Sequence, residues 1–301
     1  MIIPPYLKSG DTIGIVSTAR KITPEEIAAA VGKFEEWGLK LVFGENLFNV
    51  HHQFAGTDEQ RLLDIQKMLD APEVKAIISA RGGYGTVKII DRINFTGFKA
   101  SPKWICGFSD ITVLHAHVQQ NFNIATLHCA MPVNFPREGN FSIAVETIRK
   151  TLFGEMVSYE SKPHLLNRAG SASGLLTGGN LSILHNLSGT SSQVDTKGKI
   201  LLLEDLDEYL YHIDRMMMNL KRNGLLNDLA GLIVGGMTEM KDNMVPFGKV
   251  AEEIIADAVK EFDYPVCFDF PFGHIAENQA LMLGKKALLN VTQEKSTLKY
   301  I

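Results

Sequence analysis

Trp104-Ile105-Cys106-Gly107-Phe108-Ser109-Asp110-Ile111-Thr112 is an apolar run that breaks on Gly-Phe-Ser-Asp just before a helical pattern. A serine at such a strand-to-helix break projects its hydroxyl from a tight turn, beside the unpaired N–H groups of a helix N-terminus, which suits a nucleophile. Ile111 stands where the common nucleophile elbow carries its second glycine, so the same residues also read as a strand followed by a plain serine N-cap. Either way a strand precedes Ser109 and a helix follows it.

That alternation extends in both directions. Upstream, a buried strand over 12–17 is followed by Thr23-Pro24-Glu25-Glu26, a capping box with proline at the first helical position. Ile27, Val31 and Phe34 recur at helical spacing and Gly38 ends the segment. Strand 39–43, a polar loop with His51 and His52, helix 57–69, strand 74–80, helix 86–93, strand 104–107, helix 111–120 and strand 124–128 complete the first half. Such alternation predicts an α/β domain over 1–135, with a parallel sheet covered on both faces and a ligand site beyond the carboxyl ends of its strands.

The pattern weakens over 136–173, a polar stretch with Pro136, Gly139, Pro163 and Gly170 and one helix over 142–153, which reads as a linker. The remainder, 174–301, holds Gly178-Gly179-Asn180, strands 199–204, 232–235 and 266–270, helices 209–223 and 247–262, and short apolar runs to the end. Closely spaced strands with few helices between them predict a mixed α+β domain.

With 301 residues and 45% apolar content the chain can bury a large core. Thirty basic against 34 acidic residues give a net charge of −4 without a like-charge block, so neither nucleic acid nor an anionic membrane is an expected partner. The start Met1-Ile2-Ile3-Pro4-Pro5-Tyr6 has no signal-peptide pattern, and the expected location is the cytoplasm. Cys106, Cys129 and Cys267 are far apart in apolar settings and read as buried thiols; no metal or organic cofactor is expected.

A nucleophilic serine needs a base and a group that orients the base. Of nine histidines, His51, His52, His115, His117, His185 and His212 read as packed or solvated. His274, on the Pro- and Gly-bearing loop Phe270-Pro271-Phe272-Gly273-His274 after a strand, is preferred to His128, which ends a strand. Glu204 is the first charge after Leu201-Leu202-Leu203 and belongs at a sheet's carboxyl edge, where burial demands a partner: His274, or in the bland alternative Arg215. The acids after it read as caps of the helix near Tyr209. Arg81-Gly82-Gly83-Tyr84-Gly85 follows a strand, and its N–H groups suit a phosphate, a structural turn, or half of an oxyanion hole completed by the N–H of Asp110.

In Phe54-Ala55-Gly56-Thr57-Asp58, Arg81-Gly82-Gly83-Tyr84-Gly85, Pro102-Lys103, Gly107-Phe108-Ser109-Asp110-Ile111-Thr112, Gly178-Gly179-Asn180-Leu181, Leu203-Glu204-Asp205, Ile213-Asp214-Arg215 and Phe270-Pro271-Phe272-Gly273-His274, the chain resembles the LD-carboxypeptidase family of serine peptidases. That family contains murein tetrapeptide carboxypeptidases and microcin C self-immunity proteins. The resemblance implies Ser109 as nucleophile, His274 as base and Glu204 as its orienter. It also implies a doubly wound, mostly parallel N-terminal domain, a smaller barrel-like C-terminal domain and a homodimer. The oxyanion hole falls to Gly83 and Asp110, and Arg81, Gly82 and Tyr84 are the expected substrate contacts.

Two stretches depart from the family pattern: Val16-Ser17-Thr18-Ala19, where Ala-Pro-Ser is more usual, and Cys129-Ala130, where Gly-Pro is usual. The expected activity is release of the terminal D-alanine from murein tetrapeptides. The rival readings are a peptidase acting on a peptide–nucleotide antibiotic, a non-catalytic phosphate- or nucleotide-binding protein and an ester hydrolase.

Overall fold

The computed structural model describes residues 1–137 and 140–301, so Gly139 of the expected linker lies outside the described residues. The strands are β1 (Thr12–Val16), β2 (Lys40–Phe43), β3 (Val74–Ser79), β4 (Trp104–Gly107), β5 (Thr126–His128), β6 (Ser158–Ser161), β7 (Gly170–Asn180), β8 (Ile200–Leu206), β9 (Gly231–Thr238), β10 (Val266–Cys267), β11 (Leu281–Leu283), β12 (Lys286–Val291) and β13 (Ser296–Tyr300). The helices are α1 (Pro24–Glu36), α2 (Asp58–Asp70), α3 (Thr96–Ala100), α4 (Thr112–Phe122), α5 (Ile143–Leu152), α6 (Leu181–Asn186), α7 (Leu210–Arg222) and α8 (Ala251–Ala258).

The first sheet runs β11-β5-β4-β3-β1-β2, with β1 to β5 parallel as expected. Every residue of β1 is buried, because Ile27, Ala30 and Phe34 of α1 pack with Ile13 and Ile15 on one face while Ile65 and Met68 of α2 pack with Val16 on the other. The capping box that starts α1 is present: Glu26 N–H donates to Thr23 Oγ1, and Thr23 N–H donates back to Glu26 Oε2. β2 and β3 flank β1 on opposite sides, so the strand order reverses there, and the space beyond β1 and β3 is the topological switch point where such sheets bind ligands.

Local pattern and structure part in several places, among them the helix expected over 247–262, which is Ala251–Ala258. The helix expected over 86–93 is two 3-10 turns, Thr86–Lys88 and Ile90–Arg92. Its β-branched run of Thr86, Val87, Ile89 and Ile90 is a poor helix former, and Thr86 is tied elsewhere: its N–H donates to Asp110 and its hydroxyl pairs with Thr18. The 136–173 stretch is structured over much of its length, carrying α5, β6 and the start of β7. The first sheet also borrows its edge: β11, from the last third of the chain, pairs antiparallel with β5.

The second sheet is mixed, in the order β10-β9-β8-β7-β12-β13-β6. Its outer strands approach one another, with Ser161 Oγ 3.5 Å from Cys267 Sγ, which curls the sheet toward a barrel. Both apolar cores run through residues of both sheets. Across the junction α4 packs on β7: Thr112 Oγ1 accepts from Asn180 N–H at 3.1 Å, and Thr177 Oγ1 donates to Gln119 Oε1 at 2.9 Å. The helix that follows Ser109 is thereby fixed against the strand beside Glu204. Among the described residues no helix is long and apolar enough to cross a membrane.

Candidate active site

Ser109 follows β4 with φ of +60°, a left-handed conformation costly for a residue with a side chain. A 3-10 turn over Ser109–Ile111 then leads into α4, so Ser109 does not cap that helix by a side-chain hydrogen bond. The Arg81–Gly85 loop, at the end of the neighbouring strand, lies against it: a Cβ built on Gly82 would stand 3.2 Å from Ser109 Cβ and 3.4 Å from its Oγ. The buried Asp110 carboxylate joins the two segments, accepting from Thr86 N–H at 2.9 Å. Burial pushes that carboxyl up to about 6, against the hydrogen bonds from Thr86 and Gly85 that favour its charged form. The N–H groups of Gly83 and Asp110 donate to no backbone or side-chain acceptor among the described residues.

Glu204 lies near the end of β8 and is wholly buried. Its Oε2 accepts from His274 Nδ1 at 2.6 Å and from the His274 backbone N–H at 3.2 Å. The contact depends on Gly273, whose φ is +96° and whose added Cβ would fall 2.6 Å from Glu204 Cβ. Burial drives the His274 pKa down, yet the Glu204 charge and hydrogen bond outweigh it, and the net shift is upward from the usual 6.5. The alternative partner Arg215 instead lies over the Tyr211 ring.

Ser109, Gly83, Asp110 and His274 line one cavity of about 240 Å³ with Asn180, Ser182 and Asp205. His274 also lines a second, of about 340 Å³, with Phe108, Ala130, Leu206 and Ile275. Of the two departures from the family pattern, Ala130 is therefore in the cleft wall. His128 is not: it is fully buried against Phe108 and Phe272, and neither of its ring nitrogens has a partner among the described residues. Burial holds its pKa well below 6.5. His115 donates from Nε2 to Gly107 O, two residues before Ser109.

Other expected residues are placed as follows. Arg81 pairs with Glu26 at 3.2 Å, and Tyr84, half exposed, tilts against Phe54. The acids after Glu204 do not cap α7 as its pattern suggested. Asp205 accepts from Asn180 Nδ2, Ser182 N–H and Leu206 N–H, each at 2.9 Å, and so fastens the start of α6 to β8. Burial first, then the Glu204 charge, raises its pKa to about 7. Asp207 pairs with Lys241, and Glu208 with His212. The structural part of Asp205 had no signal in the sequence, where it lies 25 positions from Asn180, because pairing of those two strands is a tertiary fact.

A hydroxyl on a strained turn, free N–H groups beside it and a carboxylate-held imidazole in the same cavity are what nucleophilic serine hydrolases require. Residues 13–129 match the LD-carboxypeptidase N-terminal domain and residues 173–289 the LD-carboxypeptidase C-terminal domain. The probable murein peptide carboxypeptidase of Bacillus subtilis (strain 168) is 34% identical over 302 residues, spanning 98% of this chain and 93% of that one. Among solved structures, the muramoyltetrapeptide carboxypeptidase from Oxalobacter formigenes superposes with a TM-score of 0.87 at 25% identity, over 96% of this chain and 98% of that one. The microcin C7 self-immunity protein MccF, in complex with aspartyl sulfamoyl adenosine, shares the fold with a TM-score of 0.88 at 20% identity, over 99% and 98%. The chain belongs to the LD-carboxypeptidase family of serine peptidases.

Proposed function

We propose that this protein is a cytoplasmic, homodimeric serine carboxypeptidase that removes the terminal D-alanine from murein tetrapeptides, cleaving the bond between the L-configured centre of a diamino acid and D-alanine. The observation that carries the reading is the 2.6 Å hydrogen bond from His274 Nδ1 to buried Glu204, at a cavity that Ser109 shares. With Nδ1 committed to Glu204, the Nε2 lone pair is the free base, and it takes the Ser109 proton as the hydroxyl oxygen attacks the scissile carbonyl. The Gly83 and Asp110 N–H groups hold the oxyanion. His274 then protonates the departing D-alanine amine, and water hydrolyses the acyl-enzyme by the same route in reverse. Glu204 stabilises the imidazolium throughout.

The substrate reading is supported by the curated relative's name and by the cleft wall. A peptide–nucleotide substrate would call for an aromatic platform under its base. Trp104 is fully buried and Trp37 lines a different cavity, beside Phe135 and Phe141. Incubation with cell-wall tri-, tetra- and pentapeptides, read by mass spectrometry, tests the proposal. Loss of one D-alanine from the tetrapeptide alone, abolished in Ser109→Ala and indifferent to a chelator, is the expected result; intact tetrapeptide after prolonged exposure to folded protein would overturn it.

A further inference from the structure

Arg20 stands at the carboxyl end of β1 and Gly83 at that of β3, on the two sides of the switch point. The Arg20 N–H donates to Gly82 O at 3.4 Å, and Ser17 Oγ donates to Arg20 O at 2.7 Å, closing the turn that carries the arginine. The stem lies across Gly83: a Cβ there would fall 2.4 Å from both Arg20 Cγ and Cδ. With φ of +118° as well, this position admits only glycine, and the absent side chain is what lets the arginine cross the loop.

The other arginines around this loop are engaged. Arg61 is buried and donates to Thr18 O, Gly56 O and Asp58, and Arg81 pairs with Glu26. Arg20 is exposed and has no carboxylate partner among the described residues. Among the described residues the two cleft cavities are lined by Asp110, Asp205 and Asp207 but by no lysine or arginine, so a peptide carboxylate entering the cleft finds no permanent cation in these walls. Gly83 is part of the cavity lining, and the Arg20 stem lies against it.

We propose that Arg20 holds the C-terminal carboxylate of the substrate and so makes the enzyme an exopeptidase; the inference rests on the carboxypeptidase reading above. That carboxylate lies one residue beyond the scissile carbonyl, a step of about 3.8 Å measured between consecutive Cα atoms. A guanidinium whose stem crosses the oxyanion loop spans such a step, and its planar fork matches a carboxylate with two parallel hydrogen bonds.

The test compares a tetrapeptide ending in D-alanine with the same peptide ending in D-alaninamide. Turnover is measured in wild type, Arg20→Met, which keeps the stem across Gly83, and Arg20→Lys; binding of both peptides is measured by calorimetry in Ser109→Ala with and without Arg20→Met. Arg20→Met should lower kcat/KM and affinity for the acid by roughly 10- to 100-fold, the worth of a charge-assisted hydrogen bond, and leave the amide nearly unchanged. Arg20→Lys should recover part of the loss. A purely structural arginine would depress acid and amide alike, and that result, or no effect on either, overturns the proposal while tetrapeptide turnover leaves the carboxypeptidase reading standing. Acid-selective, Arg20-dependent binding without turnover would do the reverse, and no binding of either peptide would overturn both.

Discussion

Glu204 accepts two hydrogen bonds from one residue, the imidazole Nδ1–H and the backbone N–H of His274, through a single carboxylate oxygen. The paired contacts fix ring and loop together. The other oxygen, Oε1, is buried without a partner among the described residues, so the carboxylate's charge is directed largely at the imidazole.

Replacing Glu204 with Gln removes that charge while keeping the shape. Because the proposed base must be neutral, activity in wild type should rise with pH through a His274 pKa above 6.5; in Glu204→Gln this limb should move to lower pH. The plateau rate should also fall by about 10³-fold or more, as when a triad carboxylate is neutralised. Profiles of kcat/KM against pH in both proteins check this. The same pair contributes stability that is fully present below pH 6.5 and is lost as pH rises through the elevated folded pKa.

Ser109 sits at φ of +60°, so the proposed nucleophile is held at some cost to the fold. Ser109→Gly relieves it and should stabilise the protein by about 1 kcal/mol in denaturant unfolding while abolishing turnover. Ser109→Ala should be inactive without that gain.

Gly273→Ala should cost roughly 1–3 kcal/mol from backbone strain alone and displace Glu204 from His274. Thermal unfolding and kcat are the measurements, and a variant with native stability and native kcat would contradict the close approach.

Asp110 ties the Arg81–Gly85 loop to the Ser109 turn through Thr86 N–H. Asp110→Ala leaves that donor buried and unpaired, and kcat should fall 10-fold or more with KM little changed, roughly one lost hydrogen bond between the halves of the proposed oxyanion hole. Steady-state kinetics on the tetrapeptide separate the two constants.

His115 is buried neutral, its pKa lowered by burial to about 4 against the Gly107 carbonyl that favours its charged form. Since the unfolded chain binds this proton first, the associated stability is present above pH 6.5 and lost as pH falls toward 4, a step of roughly 3 kcal/mol at most. His115→Gln removes the titration, so unfolding free energies of wild type and variant should converge toward acid pH.

The local devices were readable in the chain itself. The Thr23 to Glu26 capping box, the parallel strands, the break at Gly107 to Asp110 and the apolar run ending on Glu204 are short-range patterns, set by side-chain period and by a few backbone preferences that act within a turn or a strand. Choosing between His274 and His128 as base rested on loop chemistry, and packing then sealed His128 behind Phe108 and Phe272.

What the sequence determined alone was therefore the alternation of strands and helices and the residue types able to do chemistry at their ends. Tertiary structure decided which of those ends meet. It placed Glu204 against a residue 70 positions away, sent β11 back to finish the first sheet, turned Asp205 inward to α6 and laid Arg20 across Gly83. None of these has a periodic signature, because each arises from two separately formed surfaces burying apolar area against each other, and their polar groups then find whichever partners that burial brings near.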